Sequence, residues 1–325
     1  MTAGRKEVLL MKSGYLFIAL ATLLFSSMEV ALKFVAGQFN PIQMTFSRFL
    51  AGGLVLLPLA IRMLKKRGAK LDAGALRTFA LLGLTGIAAS MSLYQMAVTR
   101  VNASVVSVLF SSNPIFVTLF AFLILKEAIS RHQIAGLLLD IVGIICIIDP
   151  LHMELDAVGI VCVLGATLLF SLYGVLGKKQ SARFGGVVTT CFGFFFGAAE
   201  LMALAALTHI PAVASALTGA GLGLFAEIPF FTGYTLKSLP IVLYVFLGVT
   251  GGGFASYFAA MEKTSAQQTS LVFFFKPALT PVLAFLILRE EIPGNMILGI
   301  ILILCGSFVS LLPGLMALRK KETAK

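Results

Sequence analysis

The sequence predicts an all-α membrane protein, with ten transmembrane helices arranged as two inverted five-helix repeats. Three observations predict it. Of 325 residues, 59% are hydrophobic and 12% charged, with a mean hydropathy of +1.01, whereas average proteins are about a quarter charged. Apolar runs recur at or near the roughly 20 residues that cross a bilayer as a helix. They are continuous, unlike the alternating ten-residue segments of a β-barrel. Third, the chain repeats itself. Residues 97–148 align without a gap on 260–311, with 16 of 52 positions identical, and self-similarity of this kind decides the architecture before any local reading does.

The spans are expected near 13–33, 41–62, 78–98, 103–125, 132–149, 157–177, 186–208, 239–260, 267–288 and 294–313. Arg5, Lys6 and Lys12 precede the first, as in a secretory signal. Ala21-Thr22-Leu23-Leu24-Phe25-Ser26 recurs, however, as Ala166-Thr167-Leu168-Leu169-Phe170-Ser171. The first span therefore has a counterpart in the sixth and belongs to the folded unit. The second, opening at Pro41, matches the seventh, with Thr45 on Thr190. The third matches the eighth, with Tyr94 on Tyr257; Gly248, Gly251, Gly252 and Gly253 crowd the eighth. The fourth matches the ninth: Pro114 falls on Pro277, and Ala121-Phe122-Leu123-Ile124-Leu125-Lys126-Glu127 on Ala284-Phe285-Leu286-Ile287-Leu288-Arg289-Glu290. The fifth matches the tenth, with Gly136 and Gly143 on Gly299 and Gly306. Small residues at such places let helices pack closely in lipid; bending during transport is the alternative. The repeats cover 13–149 and 157–313, and a basic tail covers 314–325. Five spans per half start the second half on the opposite face, which makes the repeat inverted. Residues 209–238 have no counterpart. They read as a packed surface connection or as a lid over an outer vestibule.

A net charge of +11 suits nucleic acid or a membrane surface, and its placement decides for the membrane. With the N-terminus inside, 19 Lys and Arg fall in inner segments and 3 in outer loops; Lys33, Arg48 and Lys276 lie within spans. The positive-inside rule then places both termini in the cytoplasm of a multi-pass protein of the cell (inner) membrane, with no nucleic-acid partner. The loop 149–156 is acidic through Asp149, Glu154 and Asp156. Cys146, Cys162, Cys191 and Cys305 are dispersed in apolar runs and read as packing residues. His132, His152 and His209 stand apart, so no metal site is expected. No phosphate-binding loop, nucleophile elbow or paired catalytic motif is present. No cofactor is expected, and the chain is not read as an enzyme.

Charges within a span are costly and face a cavity or a partner. Lys276 is the sharpest. It lies near mid-span in the ninth and directly precedes Pro277; its counterpart Asn113 precedes Pro114. Proline disfavours helix at the residue before it, so both halves are expected to carry an interrupted helix with a polar residue at matched depth, a pointer to a transporter site. Lys276 reads as a ligand for a substrate carboxylate or phosphate, or as half of a buried ion pair. Glu29 and Arg48 lie at similar depth in adjacent spans, as a structural salt bridge or as a proton-coupling or amine-binding pair. Lys33 is expected to snorkel to headgroups. Asp140 faces Ile303 in the repeat, and Glu200 faces Val55. Symmetry gives neither a structural duty, and each is a coupling candidate alongside Glu29. Tyr94 and Tyr257 are candidate cavity residues, with Gln95, Ser112, Gln267, Gln268 and Ser270 secondary to them.

The paired Phe122-Leu123-Ile124-Leu125-Lys126-Glu127 and Phe285-Leu286-Ile287-Leu288-Arg289-Glu290 segments are followed by Ile134-Ala135-Gly136 and Ile297-Leu298-Gly299. With Arg48-Phe49-Leu50 and Asn113-Pro114, they make the chain resemble the EamA-like branch of the drug/metabolite transporter superfamily, over about residues 13–313. The resemblance implies a secondary transporter, often an exporter of amino acids or other small metabolites, and no particular substrate. The mix of buried charge signs favours a zwitterion or small organic anion. The alternatives are efflux of cationic drugs, a membrane-embedded enzyme, and a channel. Oligomeric state is left open.

Overall fold

The computed structural model describes residues 3–126, 128–149, 156–263, 269 and 271–322, with side chains described from 13 to 310 apart from Glu262. Among the described residues, nine helices are long and apolar enough to cross a membrane. They are, first to ninth, Ser13–Phe34, Pro41–Arg67, Ala73–Arg100, Ala103–Leu125, Arg131–Ile148, Ala157–Phe184, Gly186–Leu207, Leu239–Met261 and Leu271–Leu288. A tenth apolar stretch, Gly294–Ser310, is shorter and belongs to a helix that continues to Glu322, through most of the expected tail. Among the described residues, extended structure amounts to one isolated bridge, Ala36–Phe39.

Local chemistry sets the helix ends. Asn40 caps the second helix by accepting from Ile42 N at 2.8 Å, with Pro41 following. Asp72 accepts from Ala75 N at 2.7 Å and Asp156 from Gly159 N at 2.6 Å, while Ser130 and Gln133 form a reciprocal capping box. The second and sixth helices overrun the ends expected at 62 and 177, reaching Arg67 and Phe184. Lys65, Lys66 and Arg67, like Lys178, Lys179 and Arg183, are good helix formers, and cations suit a helix C-terminus. The fourth and ninth helices both close on a left-handed residue, Lys126 (φ 59°) and Arg289 (φ 57°). Beyond Arg289, the Glu290 carboxylate accepts from Ala103 N (2.8 Å), Ser104 N (3.1 Å) and Ser104 Oγ (2.7 Å). The acidic residue of the shared motif is thus an N-cap, delivered to the fourth helix from the other half. Its counterpart Glu127 lies outside the described residues, as do His152, Glu154, Gln267, Gln268 and Ser270.

Packing follows the repeat. The second helix packs on the seventh, the fifth on the tenth, and the fourth on the ninth. The first packs on the eighth and ninth, just as the sixth packs on the third and fourth; the second meets the eighth as the seventh meets the third. Exchanging each helix with its counterpart leaves this set of contacts unchanged. Glycine permits the closest approaches: a Cβ on Gly306 would lie 2.6 Å from the Gly136 carbonyl oxygen, and one on Gly143 would lie 2.8 Å from that of Gly299. π-Helical winding occupies matched places in the third and eighth helices, Gly83–Met91 and Tyr244–Gly253.

The connector between the seventh and eighth helices holds a short helix, Pro211–Gly219. It is tied to the second helix. Asn40 Nδ2 donates to Leu224 O at 2.8 Å, Gln43 Nε2 to Thr232 O at 2.7 Å, and the Tyr234 hydroxyl to Ser47 Oγ at 2.8 Å. These bonds fit the reading of a packed connection.

Candidate functional site

The first helix breaks at Ser27, between Ala3–Ser26 and Met28–Phe34. The Ser26 carbonyl freed there accepts from Thr280 Oγ1 of the ninth helix at 2.9 Å. Glu29, just past the break, is fully buried. Its Oε1 accepts from the Tyr94 hydroxyl and pairs with Lys276 Nζ at 2.6 Å. Lys276 Nζ also lies 6.0 Å from the Tyr94 ring centroid and 5.6 Å from that of Phe110, within the range of a cation–π attraction. Three helices thus deliver a carboxylate, an ammonium and a phenol to one point.

The salt bridge expected between Glu29 and Arg48 is replaced by this pair. Depth along the spans matches Glu29 with Arg48, but the turn at Ser27, where the Ser26 carbonyl meets Thr280, docks this part of the first helix on the ninth and brings Glu29 to Lys276. Arg48 stays beside the cluster and is 1% exposed. Its Nη1 contacts Met28 Sδ at 3.4 Å, and its Cζ lies 4.6 Å from the Phe49 centroid and 5.9 Å from that of Tyr94. Two cations therefore accompany one carboxylate, an arrangement that burial makes costly.

Two cavities adjoin the cluster. One of about 60 Å³ is lined by Arg48, Met28, Tyr173 and Lys276, among a ring of Phe side chains. The other, of about 250 Å³, is lined by Asn113, Pro114, Phe274, Ser307 and Lys276. Phe110, Phe170, Phe273 and Lys276 border both. Phe110 and Phe273 are repeat counterparts, so each half contributes one ring to the shared wall. A third cavity, of about 420 Å³, opens among the basic ends of the helices at Arg62, Lys66 and Arg67.

The other expected residues divide. Asn113 borders the larger cavity; its Nδ2 donates to Ser171 Oγ at 2.7 Å. The fourth helix is interrupted before it, at Ser111 and Ser112, as expected. The ninth is not: its α-helix Leu271–Leu283 runs through Pro277 and Pro281, since packed neighbours make the loss of a backbone bond tolerable. Tyr257 lies behind the cavity wall, 5.5 Å from Phe273 and 6.4 Å from Phe25 between ring centroids. Asp140 is buried away from Glu29, against Gly306 in the fifth–tenth contact. Glu200 and Lys33 are half-buried on the seventh and first helices. Of the secondary candidates, Gln95 and Ser112 are buried.

Phe273 and Phe274, in the Phe cluster that precedes Lys276 in the sequence, do line the cavities. Residue-by-residue reading missed Thr280, Ser171, Phe110 and Phe170, although Ser171 and Phe170 belong to the recurring Ala166–Ser171 segment. It also missed an asymmetry. The first-with-sixth alignment sets Glu29 opposite Gly174 and Arg48 opposite Gly193. The contact of Glu29 with Lys276 has its neutral counterpart in that of Asn113 with the sixth helix. None of the three charges has a charged counterpart in the repeat, because Gly174, Gly193 and Asn113 stand at the matched positions.

A model described as the EamA-like transporter family matches residues 12–149 and 157–312. An uncharacterised transporter of Clostridium kluyveri is 35% identical over 308 residues, 92% of this chain and 93% of its own length. A probable terminal-alkyne amino-acid exporter of Streptantibioticus cattleyicolor is 26% identical over 220 residues, 68% of each chain. A solved crystal structure superposes with a TM-score of 0.60 at 20% identity, covering 93% of this chain and 97% of the other; this likeness is one of fold.

Proposed function

The chain belongs to the EamA-like transporter family, and from that premise we propose that it is a secondary active transporter exporting amino acids or similar small metabolites by alternating access. The observation that carries this reading is the buried Glu29–Tyr94–Lys276 assembly beside Arg48, opening on aromatic-lined cavities between the halves. Opposed charges at such depth are costly scaffolding, and they suit a site that takes up a charged solute.

The ten helices act as two inverted repeats that rock about this site, a reading supported by the exchangeable packing pairs and the matched π-helical turns. The basic helix ends face the cytoplasm, as do both termini, following the positive-inside rule. The cavity at Arg62, Lys66 and Arg67 then gathers solute on that side. Export of amino acids is supported by the name of the Streptantibioticus relative. Lys276, Arg48, Asn113 and Tyr94 contact the substrate, while Tyr257 backs the wall. We assign proton coupling to Glu29, which also borders the substrate, with Asp140 and Glu200 as further carboxylates that take up protons. Efflux of cationic drugs is disfavoured, since Lys276 and Arg48 place two cations beside the single carboxylate of Glu29.

Counterflow into proteoliposomes tests the reading. A carrier gives saturable uptake accelerated by substrate on the far side, and Lys276→Ala abolishes it. Linear uptake would indicate a channel, and saturable flux unchanged in Lys276→Ala would sink the central site.

A further inference from the structure

The buried cluster has three polar groups without a hydrogen-bond partner among the described residues: Glu29 Oε2, Arg48 Nε and Arg48 Nη2. Buried polar groups are normally paired, and unpaired ones destabilise. These three share a pattern. Nε and Nη2 form one edge of the guanidinium, the edge that grips a carboxylate through two parallel bonds. The remaining nitrogen, Nη1, meets Met28 Sδ at 3.4 Å. On Glu29, Oε1 is taken by Tyr94 and Lys276, leaving Oε2 as an acceptor. Both residues surround one ring, with Arg48 Cζ 5.9 Å from the Tyr94 centroid and the Tyr94 hydroxyl on Glu29.

A simple anion satisfies the Arg48 edge and leaves Oε2 unpaired. A simple cation does the converse. A solute carrying both charges satisfies all three groups and adds no net charge to the bundle. We propose that Arg48 and Glu29 form a two-point receptor for a small zwitterion. The carboxylate sits on Arg48 Nε and Nη2, the ammonium on Glu29 Oε2, and an apolar side chain lies among Phe110, Phe170 and Phe273. The chain holds one such receptor, because glycines 174 and 193 stand at the mirrored positions. This deepens the transporter reading above and rests on it.

The test uses the full-length protein in nanodiscs, with L-leucine, L-phenylalanine, 4-methylpentanoate (leucine without its ammonium) and 3-methylbutylamine (leucine without its carboxylate). Leucine or phenylalanine should bind at least about tenfold tighter than either single-charge analogue, the usual scale for one charge-assisted bond. Glu29→Gln should weaken the amino acids to the affinity of 4-methylpentanoate and leave 4-methylpentanoate itself unchanged. Arg48→Gln should weaken every carboxylate and leave the amine unchanged. If a neutral variant fails to fold, Arg48→Lys and Glu29→Asp decide. Arg48→Lys keeps the charge and loses the two-donor edge, so carboxylate affinity should fall about tenfold; Glu29→Asp shortens the reach and should weaken the amino acids alone. Failure of both amino acids to bind overturns the proposal, as does equal binding of an analogue or indifference to every Arg48 variant. Saturable, Lys276-dependent flux of another solute in that event would keep the transporter reading standing; no such flux for any solute would bring both down.

Discussion

Glu29 and Lys276 hold each other in a place where neither charge is tolerable alone. Removing one partner of a buried pair costs about 3–5 kcal/mol, whereas replacing both with apolar groups is often neutral. Glu29→Gln and Lys276→Met are each therefore expected to destabilise the purified protein by about that amount in thermal unfolding, and the double variant to recover most of the loss. A double variant no more stable than either single would mean that the charges do not compensate one another. Tyr94→Phe removes one donor to the carboxylate and should cost about 1.5–3 kcal/mol. Arg48 is the residue whose surroundings explain it least as scaffold, since two of its donors are unspent.

Glycine and cap chemistry govern the elements. On Gly306, a Cβ would stand 2.3 Å from Asp140 Oδ1 and 2.6 Å from the Gly136 carbonyl oxygen. Gly306→Ala must spread the fifth and tenth helices, and overpacking of this kind costs about 1–3 kcal/mol. Gly174 is the control: a Cβ there meets nothing within 4 Å, so Gly174→Ala should be neutral or stabilise its helix by about 0.5–1 kcal/mol. Equal melting shifts in the two variants would contradict the packing account. Glu290→Ala strips the cap from the fourth helix, at about 1 kcal/mol. At the start of the third helix, the hydrogen bond from Arg183 and the Ala75 N–H hold the Asp72 carboxyl below the usual carboxylate range. A lowered folded pKa stabilises above the unfolded value of about 3.9 and is lost as pH falls through the folded one. The protection of amides 73–76 against hydrogen exchange, relative to their intrinsic rates, should fall only on acidification below about pH 4, and Asp72→Asn should remove that pH dependence.

At the scale of the molecule, the helix contacts described above are unchanged when each helix is exchanged with its counterpart, whereas Glu29, Arg48 and Lys276 each have a neutral counterpart. A cysteine placed at Gly68 on a cysteine-free background should react with an impermeant maleimide from the cytoplasmic side only, and one placed at Leu236 only from outside. The reverse pattern would invert the orientation and, with it, the direction proposed for transport. Loading the site with a bound solute should protect a cysteine at Phe273 from labelling, because that ring borders both cavities.

Sequence by itself determined the membrane class, the helical fold, the repeat and its register, because hydropathy and period are local and additive along the chain. The matched left-handed ends at Lys126 and Arg289 and the glycine contacts of the fifth and tenth helices follow from that register. It also marked Glu29, Arg48, Tyr94 and Lys276 one at a time, since a charge or hydroxyl in an apolar run stands out without any partner in view. Tertiary structure alone decided who pairs with whom. Depth along a helix is one coordinate, while a contact also needs the helix's rotation and the site of its breaks; the turn at Ser27 set Glu29 on Lys276 rather than on Arg48. The same geometry made Glu290 of the shared motif a cap, parted Asp140 from the cluster, and left two nitrogens of Arg48 without a partner. Those are relations between helices, and no single stretch of chain contains them.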